Sequence, residues 1–508
     1  MEYYLGLDCG GTTIKAALFT AEGKEACVAR SDTALITPRP DFIECDMEQM
    51  WKTICSLIQK VLAKSGVSNT EIAGVGICGH GKGLYLWGNN NAPIRNGILS
   101  SDNRAFSYPI EWEKAGIKQR LFERSCQNIL ACQPPALLAW IRDNEPDVYR
   151  NIKWIFECKD YIRFRLTGQA YAELTDYSGS SLLNLRTGTY DDELLKLFGL
   201  EAVKDALPPL CRCADICGAV TAESARLSGL SEGTPVIGGM FDIDACALAA
   251  GVIDESTLSV VAGTWSINGY IQKEPVMDGS IGMNSFYCLP GYYFIEESSP
   301  TSAGNLNWII QELFPELIEK AEQRGQNVYK RLDEKIAAIA PEEYIPLYIP
   351  FLMGSNMHPN AKACFMGMNA AHKRIHLLRS VYEGIVFCHR VHIDRLIASS
   401  KVKPSVVRLT GGAANSAVWA QMFADVLGLP VETVDARETG ALGCVMAISF
   451  ALGDTSSLTE SVKKMCRVSA RFMPNLRHKA SYDKRYAVYK KAASSLDSVW
   501  DDFQSLIG

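Results

Sequence analysis

Two segments of the chain share one pattern: a short apolar strand, a turn of glycine and threonine, and a second strand. The first segment is LGLDCGGTTIKAALF, which begins at Leu5, and the second is STLSVVAGTWSINGYI, which begins at Ser256. Short apolar runs that stop at glycine are typical of strands at least half buried in a sheet. Because the two segments lie about a domain length apart, the repeat predicts two halves of similar architecture.

The rest of the chain alternates strands and helices. The runs IAGVGIC, LYLWG, TPVIGG, VVRLTGG and LPVETV predict further strands, while residues 47–64 and 416–428 have the spacing of helices. At 508 residues the chain exceeds the size at which a single core usually stops growing. We therefore predict an α/β protein of two domains, residues 1–250 and 251–508, with the boundary near residues 246–256.

Composition excludes several classes of function. The formal net charge of −6 leaves no basic excess for a nucleic-acid backbone. The start MEYYLGLDCG lacks the features of a signal peptide, and no apolar run is long enough to span a membrane. The 17 cysteines are odd in number and scattered, which indicates free thiols in a reducing compartment. We expect a cytoplasmic protein with neither nucleic-acid nor membrane partners.

Three glycine-rich turns suit the binding of phosphate. Glycine lets a turn approach an anion closely, and exposed backbone N–H groups and threonine hydroxyls can donate to phosphate oxygens. Asp8 ends the strand before the first turn; beside phosphates, a carboxylate acts mainly through a magnesium ion and its waters. A plain hairpin turn is the alternative for this first segment taken alone. The three turns contribute Gly11, Thr12, Thr13, Lys15, Gly263, Thr264, Gly412 and Asn415 as candidate nucleotide ligands.

Two better-known nucleotide motifs are matched without their structural context. GVGICG fits the dinucleotide fingerprint, and GICGHGKG lacks only the last residue of a P-loop. Both motifs require a helix after the glycines, whereas here a second strand, GLYLWG, is predicted. We expect His80 and Lys82 at the tip of a strand pair, where Lys82 either binds a polyol or a carboxylate or is a solvated surface lysine.

Several aspartates are candidates for chemistry. Asp242 and Asp244 lie in the small and apolar run GGMFDIDACALAAGV, near the predicted domain boundary where ligands often bind. Asp102 is followed two residues later by Arg104, and Asp176 precedes a run of small hydroxyl residues. Asp102 and Asp176 could each be no more than a helix N-cap. Sequence chemistry alone does not choose between Asp242 and Asp244.

These motifs together resemble the FGGY carbohydrate kinases over the whole chain. LGLDCGGTTIKAALF is similar to the N-terminal phosphate motif of the family, SSDNR to its sugar-side motif, GLSEGTPVIGGMFD to the run into its catalytic aspartate, and GTWSI and TGGAAN to its later ATP motifs. FMGMNAAHKRIHLLRSVYEG matches one family signature closely. CQPPALLAWIRDN matches another less well, because Leu137 stands where many members have lysine.

The resemblance implies an α/β fold of two RNase H-like domains of the actin and hexokinase ATPase type, facing a central cleft. It implies a sugar-binding N-terminal domain, an ATP-binding C-terminal domain, and a sugar and ATP as the small-molecule partners, with Mg²⁺. Asp242 would be the general base, Asp8 would hold magnesium through water, and Gly304 joins the ATP candidates. For Asp244 we expect a helix cap. The residues expected at the sugar are His80, Gly81, Lys82, Asp102 and Asp242.

The residues on the sugar side indicate a class of substrates. The form GKGL, with ILSSDNRA and MFD, is similar to the branch with L-xylulose and 3-keto-L-gulonate kinases. A lysine at position 82 would suit a sugar acid, because an ammonium offsets the desolvation of a buried carboxylate. D-xylulose, another pentulose or a polyol is the alternative substrate. An actin-like ATPase or a sugar-binding regulator is the non-kinase alternative, and a homodimer is the default oligomer.

Overall fold

A computed structural model of the chain describes residues 2–506. The strands are β1 (Tyr3–Cys9), β2 (Thr13–Thr20), β3 (Glu25–Asp32), β4 (Glu44–Cys45), β5 (Ile72–Gly79), β6 (Tyr85–Gly88), β7 (Gly97–Ile98), β8 (Ile152–Phe156), β9 (Ala172–Glu173), β10 (Leu183–Asn184), β11 (Thr189–Tyr190), β12 (Leu210–Cys211), β13 (Ile216–Ala219), β14 (Pro235–Ile237), β15 (Met240–Phe241), β16 (Thr257–Ala262), β17 (Ser266–Gln272), β18 (Met283–Phe286), β19 (Tyr293–Ser299), β20 (Leu347–Ile349), β21 (Cys364–Met366), β22 (Val406–Thr410), β23 (Val431–Val434) and β24 (Val468–Phe472).

The α-helices are α1 (Met47–Ser65), α2 (Ser107–Lys114), α3 (Lys118–Ser125), α4 (Pro134–Asn144), α5 (Pro146–Arg150), α6 (Cys158–Thr167), α7 (Leu174–Tyr177), α8 (Asp192–Phe198), α9 (Ala222–Ser228), α10 (Asp242–Ala249), α11 (Gly304–Leu313), α12 (Pro315–Glu322), α13 (Val328–Ala337), α14 (Arg374–Ser399), α15 (Ala417–Leu427), α16 (Thr439–Ala451), α17 (Leu458–Met465), α18 (Leu476–Ser495) and α19 (Asp497–Ser505). Short 3-10 helices cover Asn69–Glu71, Ser178–Ser180, Glu201–Ala206, Phe351–Met353 and Gly412–Asn415. Within residues 2–506, no helix combines the length and the apolar character that crossing a bilayer requires.

The described chain forms two compact units. Unit 1 comprises the residues up to Ile253 together with Gln272–Ile295 and Ala436–Cys466, and unit 2 comprises Asp254–Ile271, Glu296–Asp435 and the residues from Arg467 onward. The chain therefore first enters unit 2 after Ile253 and later returns to unit 1, which contains the late helix α16.

The sheet of unit 1 contains the first predicted hairpin. Its strands are ordered β13-β14-β5-β1-β2-β3, and β15 also pairs with β5. β1, β2 and β3 are antiparallel neighbours, whereas β1 and β14 run parallel to β5. Three antiparallel strands followed by parallel ones form an RNase H-like sheet, as expected.

The sheet of unit 2 repeats this arrangement. β17, β16, β22, β23 and β24 lie side by side in that order. β16 pairs antiparallel with β17 and parallel with β22, as β1 does with β2 and β5. The prediction of two halves of similar architecture is confirmed. The predicted helices at residues 47–64 and 416–428 are also confirmed, as α1 and α15.

The core of unit 1 follows from the sequence of α1. Asp46 caps the helix by accepting the N–H of Gln49, and Gly66 ends it in the left-handed conformation. Trp51, Ile54 and the other apolar residues of α1 recur at helical spacing, so they form one face. This face is buried in a single cluster with apolar residues of β1 and β5. Packing of α1 thereby fixes the sheet whose strand ends carry the candidate site.

Candidate active site

Asp8 and Asp242 lie at the same edge of the unit 1 sheet. Asp8 is near the end of β1 and pairs with Cys78 on the parallel strand β5. On β15, which also runs parallel to β5, Phe241 pairs with Gly79, and Asp242 follows as the first residue of α10. The carboxyl ends of parallel strands meet at one edge, where α/β proteins commonly bind ligands. The sheet therefore brings together the predicted magnesium ligand and the predicted base.

The surroundings of Asp242 favour its protonated form. Burial raises the pKa of Asp242 well above its ordinary value, and the negative charges of Asp8 and Asp176 raise it further. The N–H of Ile243 and the ammonium of Lys82 act in the opposite direction. A carboxylate with a raised pKa is a stronger base than an ordinary aspartate, which suits the acceptance of a proton from a hydroxyl group.

Lys15 is held between two carboxylates. Its Nζ lies 3.5 Å from Asp8 Oδ2 and 3.0 Å from Glu438 Oε2. The other oxygen of Glu438 accepts a hydrogen bond from Arg30 at 3.0 Å. Burial raises the pKa of Asp8, the charge of Lys15 lowers it, and the charge of Glu438 raises it. The structure thus gives Lys15 two carboxylate partners, and its contact with phosphate stays a prediction.

Helix α16 approaches Asp8 closely at Gly440. A Cβ added to Gly440 would lie 3.0 Å from Asp8 Cγ and Oδ2, and 3.1 Å from Cys78 Sγ. Such distances leave no room for a larger residue without a shift of Asp8 or of α16. Glycine at position 440 therefore permits Glu438 and Asp8 to lie close enough to share Lys15.

The segment from His80 to Lys82 differs from the predicted hairpin tip. β5 and β6 both form, but β6 pairs with β8 instead of with β5, so the expected strand pair is wrong. His80 is buried, and its Nε2 shares a hydrogen bond of 2.9 Å with the Tyr85 hydroxyl. Burial lowers the pKa of His80, which keeps the ring neutral.

Lys82 follows a glycine that is tightly packed. A Cβ at Gly81 would lie 2.7 Å from Asp176 Oδ1 and from the Phe241 ring. Lys82 itself has a φ of 65°, in the left-handed region that side chains rarely adopt. Its Nζ lies 5.8 Å from the centroid of the Phe241 ring, and its charge lowers the pKa of Asp242. The ammonium of Lys82 thus belongs to the same edge of the sheet as Asp242.

Both carboxylate oxygens of Asp102 accept hydrogen bonds within the protein. Its Oδ2 accepts the N–H of Ile43 at 2.7 Å, and its Oδ1 accepts the N–H of Arg104 at 2.9 Å. The guanidinium of Arg104 donates to both oxygens and also reaches Glu44 at 2.7 Å. These bonds use the acceptor capacity of a carboxylate. The sugar contact predicted for Asp102 stays a prediction, and this geometry argues against it.

The helix cap expected for Asp244 is wrong, and so is the helix-cap alternative for Asp176. Asp244 lies within the first turn of α10 and is fully buried, and its Oδ1 accepts the N–H of Cys288 at 2.9 Å. Asp244 is not the N-cap of α10, because that position belongs to Phe241, which precedes the first helical residue. The N-cap of α7 is Glu173, and Asp176 lies within that helix. Both aspartates are buried carboxylates, Asp244 in α10 and Asp176 in α7.

In unit 2 the predicted nucleotide residues converge. Gly263 and Thr264 form the turn between β16 and β17, and the N–H of Gly304 donates to the carbonyl of Gly263 at 3.3 Å. Gly411 has a φ of 82°, and a Cβ there would lie 2.7 Å from the carbonyl of Ala262. The next residues form the 3-10 helix Gly412–Asn415, whose Gly412 and Asn415 are exposed. Three turns distant in sequence therefore meet at one edge of this sheet.

Sequence reasoning missed a buried cluster around Lys159. Its Nζ lies 2.9 Å from Asp160 Oδ1, 3.2 Å from Asp176 Oδ2 and 3.5 Å from Glu173 Oε2. These side chains are almost completely buried. The available signal was the pair of acidic residues Glu173 and Asp176, three apart in the chain. Their lysine partner lies on α6, and no spacing rule relates the two segments.

Oxygen donors suited to magnesium occur at the sheet edge of unit 1. Among the described residues, no group of three or more histidine, cysteine, aspartate or glutamate side chains could hold a metal ion directly. Asp8 and Asp242 nevertheless offer carboxylates, and both have a raised pKa that nearby positive charge would offset. Because Mg²⁺ commonly keeps several waters and binds through one or two carboxylates, these residues fit a water-mediated ion.

The chain is similar to known carbohydrate kinases along most of its length. Residues 3–249 match the N-terminal domain, and residues 258–452 the C-terminal domain, of the FGGY family of carbohydrate kinases. The chain is 36% identical over 497 residues to an L-xylulose/3-keto-L-gulonate kinase of Escherichia coli (strain K12), covering 97% of each chain. It is 35% identical over 500 residues to a probable L-xylulose kinase of Pasteurella multocida (strain Pm70), covering 98% of this chain and all of that one.

A solved structure has the same fold. The ligand-bound xylulose kinase of Lactobacillus acidophilus superimposes with a TM-score of 0.89 over 99% of this chain and all of that chain, at 24% sequence identity. This likeness agrees with the two RNase H-like sheets and establishes the actin and hexokinase type of fold for the chain.

Proposed function

Because the chain belongs to the FGGY family of carbohydrate kinases, we propose that it transfers the γ-phosphoryl group of ATP to a hydroxyl of L-xylulose or 3-keto-L-gulonate. The observation that carries this substrate class is the 36% identity, along 97% of both chains, to a kinase named for these two sugars. The form GKGL around Lys82 supports the same branch.

The reaction requires a base, positioned phosphates and charge neutralisation. Asp242 accepts the proton of the attacking sugar hydroxyl while the new oxygen–phosphorus bond forms and the bond from the γ-phosphorus to the ADP oxygen breaks. The raised pKa of Asp242 supports this role. A magnesium ion, held through water by Asp8, would neutralise charge on the phosphate oxygens. Lys15 holds the Asp8 carboxylate in place from the adjacent strand.

The remaining site residues bind the two substrates. Backbone N–H groups and hydroxyls of the glycine-rich turns donate to phosphate oxygens, and the 3-10 helix Gly412–Asn415 lies at the adenosine end. The nucleotide ligands proposed are Gly11, Thr12, Thr13, Lys15, Gly263, Thr264, Gly304, Gly412 and Asn415. His80, Gly81 and Lys82 lie on the sugar side, with Lys82 able to pair with a carboxylate.

A substrate panel tests the proposal. ADP release would be followed with L-xylulose, 3-keto-L-gulonate, D-xylulose, L-ribulose, erythritol and glycerol, and NMR of the product would identify the phosphorylated hydroxyl. We expect the highest kcat/KM for L-xylulose or 3-keto-L-gulonate. A higher value for D-xylulose or a polyol would overturn the substrate assignment. Slow ATP hydrolysis indifferent to every sugar would instead favour an actin-like ATPase, and binding without turnover a regulator.

A cytoplasmic location and a homodimer are also proposed. All 17 cysteines are free thiols in the structure, which supports a reducing compartment. A twofold symmetric dimer is the commonest assembly among soluble homo-oligomers. Light scattering of the purified protein would give its mass directly.

A further inference from the structure

The hydroxyl of Thr175 links a buried carboxylate to the peptide that precedes Asp242. It donates to Glu173 Oε2 at 2.7 Å and accepts the backbone N–H of Phe241 at 2.9 Å. Thr175 is 3% exposed, so water does not replace either bond. Because Phe241 directly precedes Asp242, this hydroxyl fixes the backbone from which the Asp242 side chain projects.

Glu173, which accepts the Thr175 hydroxyl, is itself held by further hydrogen bonds. Glu173 also accepts the N–H groups of Thr175 at 3.0 Å and Asp176 at 3.4 Å, as the cap of α7. Burial raises the pKa of Glu173 to about 7, and the charge of Lys159 opposes this rise. Lys159 Nζ also lies 3.2 Å from Asp176, whose Oδ1 packs against Gly81. Lys159 therefore contacts both Glu173, which accepts the Thr175 hydroxyl that binds the Phe241 N–H, and Asp176, which packs against the segment that carries Lys82.

We propose that Thr175 is a positioning residue for the phosphoryl transfer: its hydroxyl holds the Phe241–Asp242 peptide so that the Asp242 carboxylate meets the sugar hydroxyl. Thr175 acts through Asp242 and does not touch a substrate. The inference rests on the proposed function, because it assumes that Asp242 is the base. The position of the Asp242 carboxylate must be fixed, because a displacement of about 1 Å in a reacting group can cost about 100-fold in rate.

The test compares Thr175→Val with Thr175→Ser. The valine keeps the shape of the side chain but leaves the Phe241 N–H without its acceptor and removes one of the donors to Glu173 Oε2, whereas the serine keeps the hydroxyl. We expect kcat of Thr175→Val to fall by about 100-fold with the KM for ATP unchanged, and Thr175→Ser to recover most of that loss. Equal loss in both variants, or an unchanged kcat in Thr175→Val, would overturn the proposal.

A matched variant separates positioning from general stability. Thr234 is another buried threonine of unit 1, and its hydroxyl donates to the carbonyl of Ser231 at 2.8 Å. Thr234→Val also removes a hydrogen bond of a buried hydroxyl, so it should lower the melting temperature while keeping the kcat of the wild type. If kcat fell equally in Thr175→Val and Thr234→Val, the loss would be structural and the proposal would be wrong.

A double-mutant cycle distinguishes this inference from the proposed base. If Thr175 acts through Asp242, the Thr175→Val change should not lower the residual kcat of Asp242→Asn any further. A further loss of about 100-fold in that background would refute the positioning role alone. A kcat near that of the wild type in Asp242→Asn would instead refute the proposed base itself.

Discussion

Lys15 and Glu438 form an ion pair, with 3.0 Å between Nζ and Oε2, that joins the first hairpin of the chain to the residue before α16. The same ammonium lies 3.5 Å from Asp8, so two carboxylates share one cation. The pKa of Asp8 is raised mainly by burial; the charge of Lys15 opposes this rise and the charge of Glu438 adds to it. The position of α16 therefore bears directly on the charge of the proposed magnesium ligand.

The contact between α16 and Asp8 predicts that Gly440→Ala is damaging. The added Cβ would lie 3.0 Å from Asp8 Oδ2, so either the carboxylate or the helix must move. We expect kcat to fall by about tenfold or more, and the free energy of unfolding to fall by about 1–3 kcal/mol. Steady-state kinetics and urea denaturation would measure these effects.

Gly179→Ala is the control for this substitution, because a Cβ at Gly179 meets no atom within 4 Å. It should change neither quantity as much. Unchanged kcat and stability in Gly440→Ala would contradict the close packing of α16 on Asp8.

If Lys82 recognises a carboxylate, Lys82→Ala should discriminate between substrates. We expect kcat/KM for 3-keto-L-gulonate to fall by about tenfold more than kcat/KM for L-xylulose, since only the acid loses a charge-assisted hydrogen bond. Parallel assays of the two sugars with one enzyme preparation would measure the ratio. An equal effect on acid and neutral sugars would show that Lys82 does not recognise the carboxylate.

The pH dependence of turnover should respond to Lys82 as well. The ammonium of Lys82 lowers the pKa of Asp242, so Lys82→Met should raise that pKa further. A base works only when deprotonated, and the acid limb of the kcat profile should therefore move to higher pH. Profiles of both enzymes at saturating L-xylulose would show the shift. A limb that stayed in place or moved to lower pH would argue against Asp242 as the titrating base.

Asp244→Asn should stabilise the protein at neutral and alkaline pH. Burial raises the pKa of Asp244, so the folded state retains a proton that the unfolded state releases. The stability from this group is present below its unfolded pKa and is lost as pH rises towards its folded pKa. The melting temperature of Asp244→Asn should exceed that of the wild type by an amount that grows as the pH rises above about 4, the pKa of an unfolded aspartate. A difference that shrank as the pH rose would contradict the raised pKa.

Local signals in the sequence predicted the strands, the paired hairpins and the residues at the strand ends. Asp8 and Gly263 were found because each lies beside a glycine turn after an apolar run, and this pattern is local. The sequence does not reveal the partners of Glu438, nor the contacts of Lys159 with Glu173 and Asp176, because these residues meet only when separate segments pack together. Asp244 was assigned as a cap from its chain neighbours, whereas its real partner, the N–H of Cys288, lies on a distant segment.

The turnover of Asp242→Asn, measured as ADP release with L-xylulose and compared with calorimetric titration of both substrates, tests the proposed mechanism most directly. Asparagine keeps the size of the side chain and removes the proton acceptor. We expect ATP and sugar still to bind while kcat falls on the order of 100-fold or more. A kcat close to that of the wild type would contradict Asp242 as the general base.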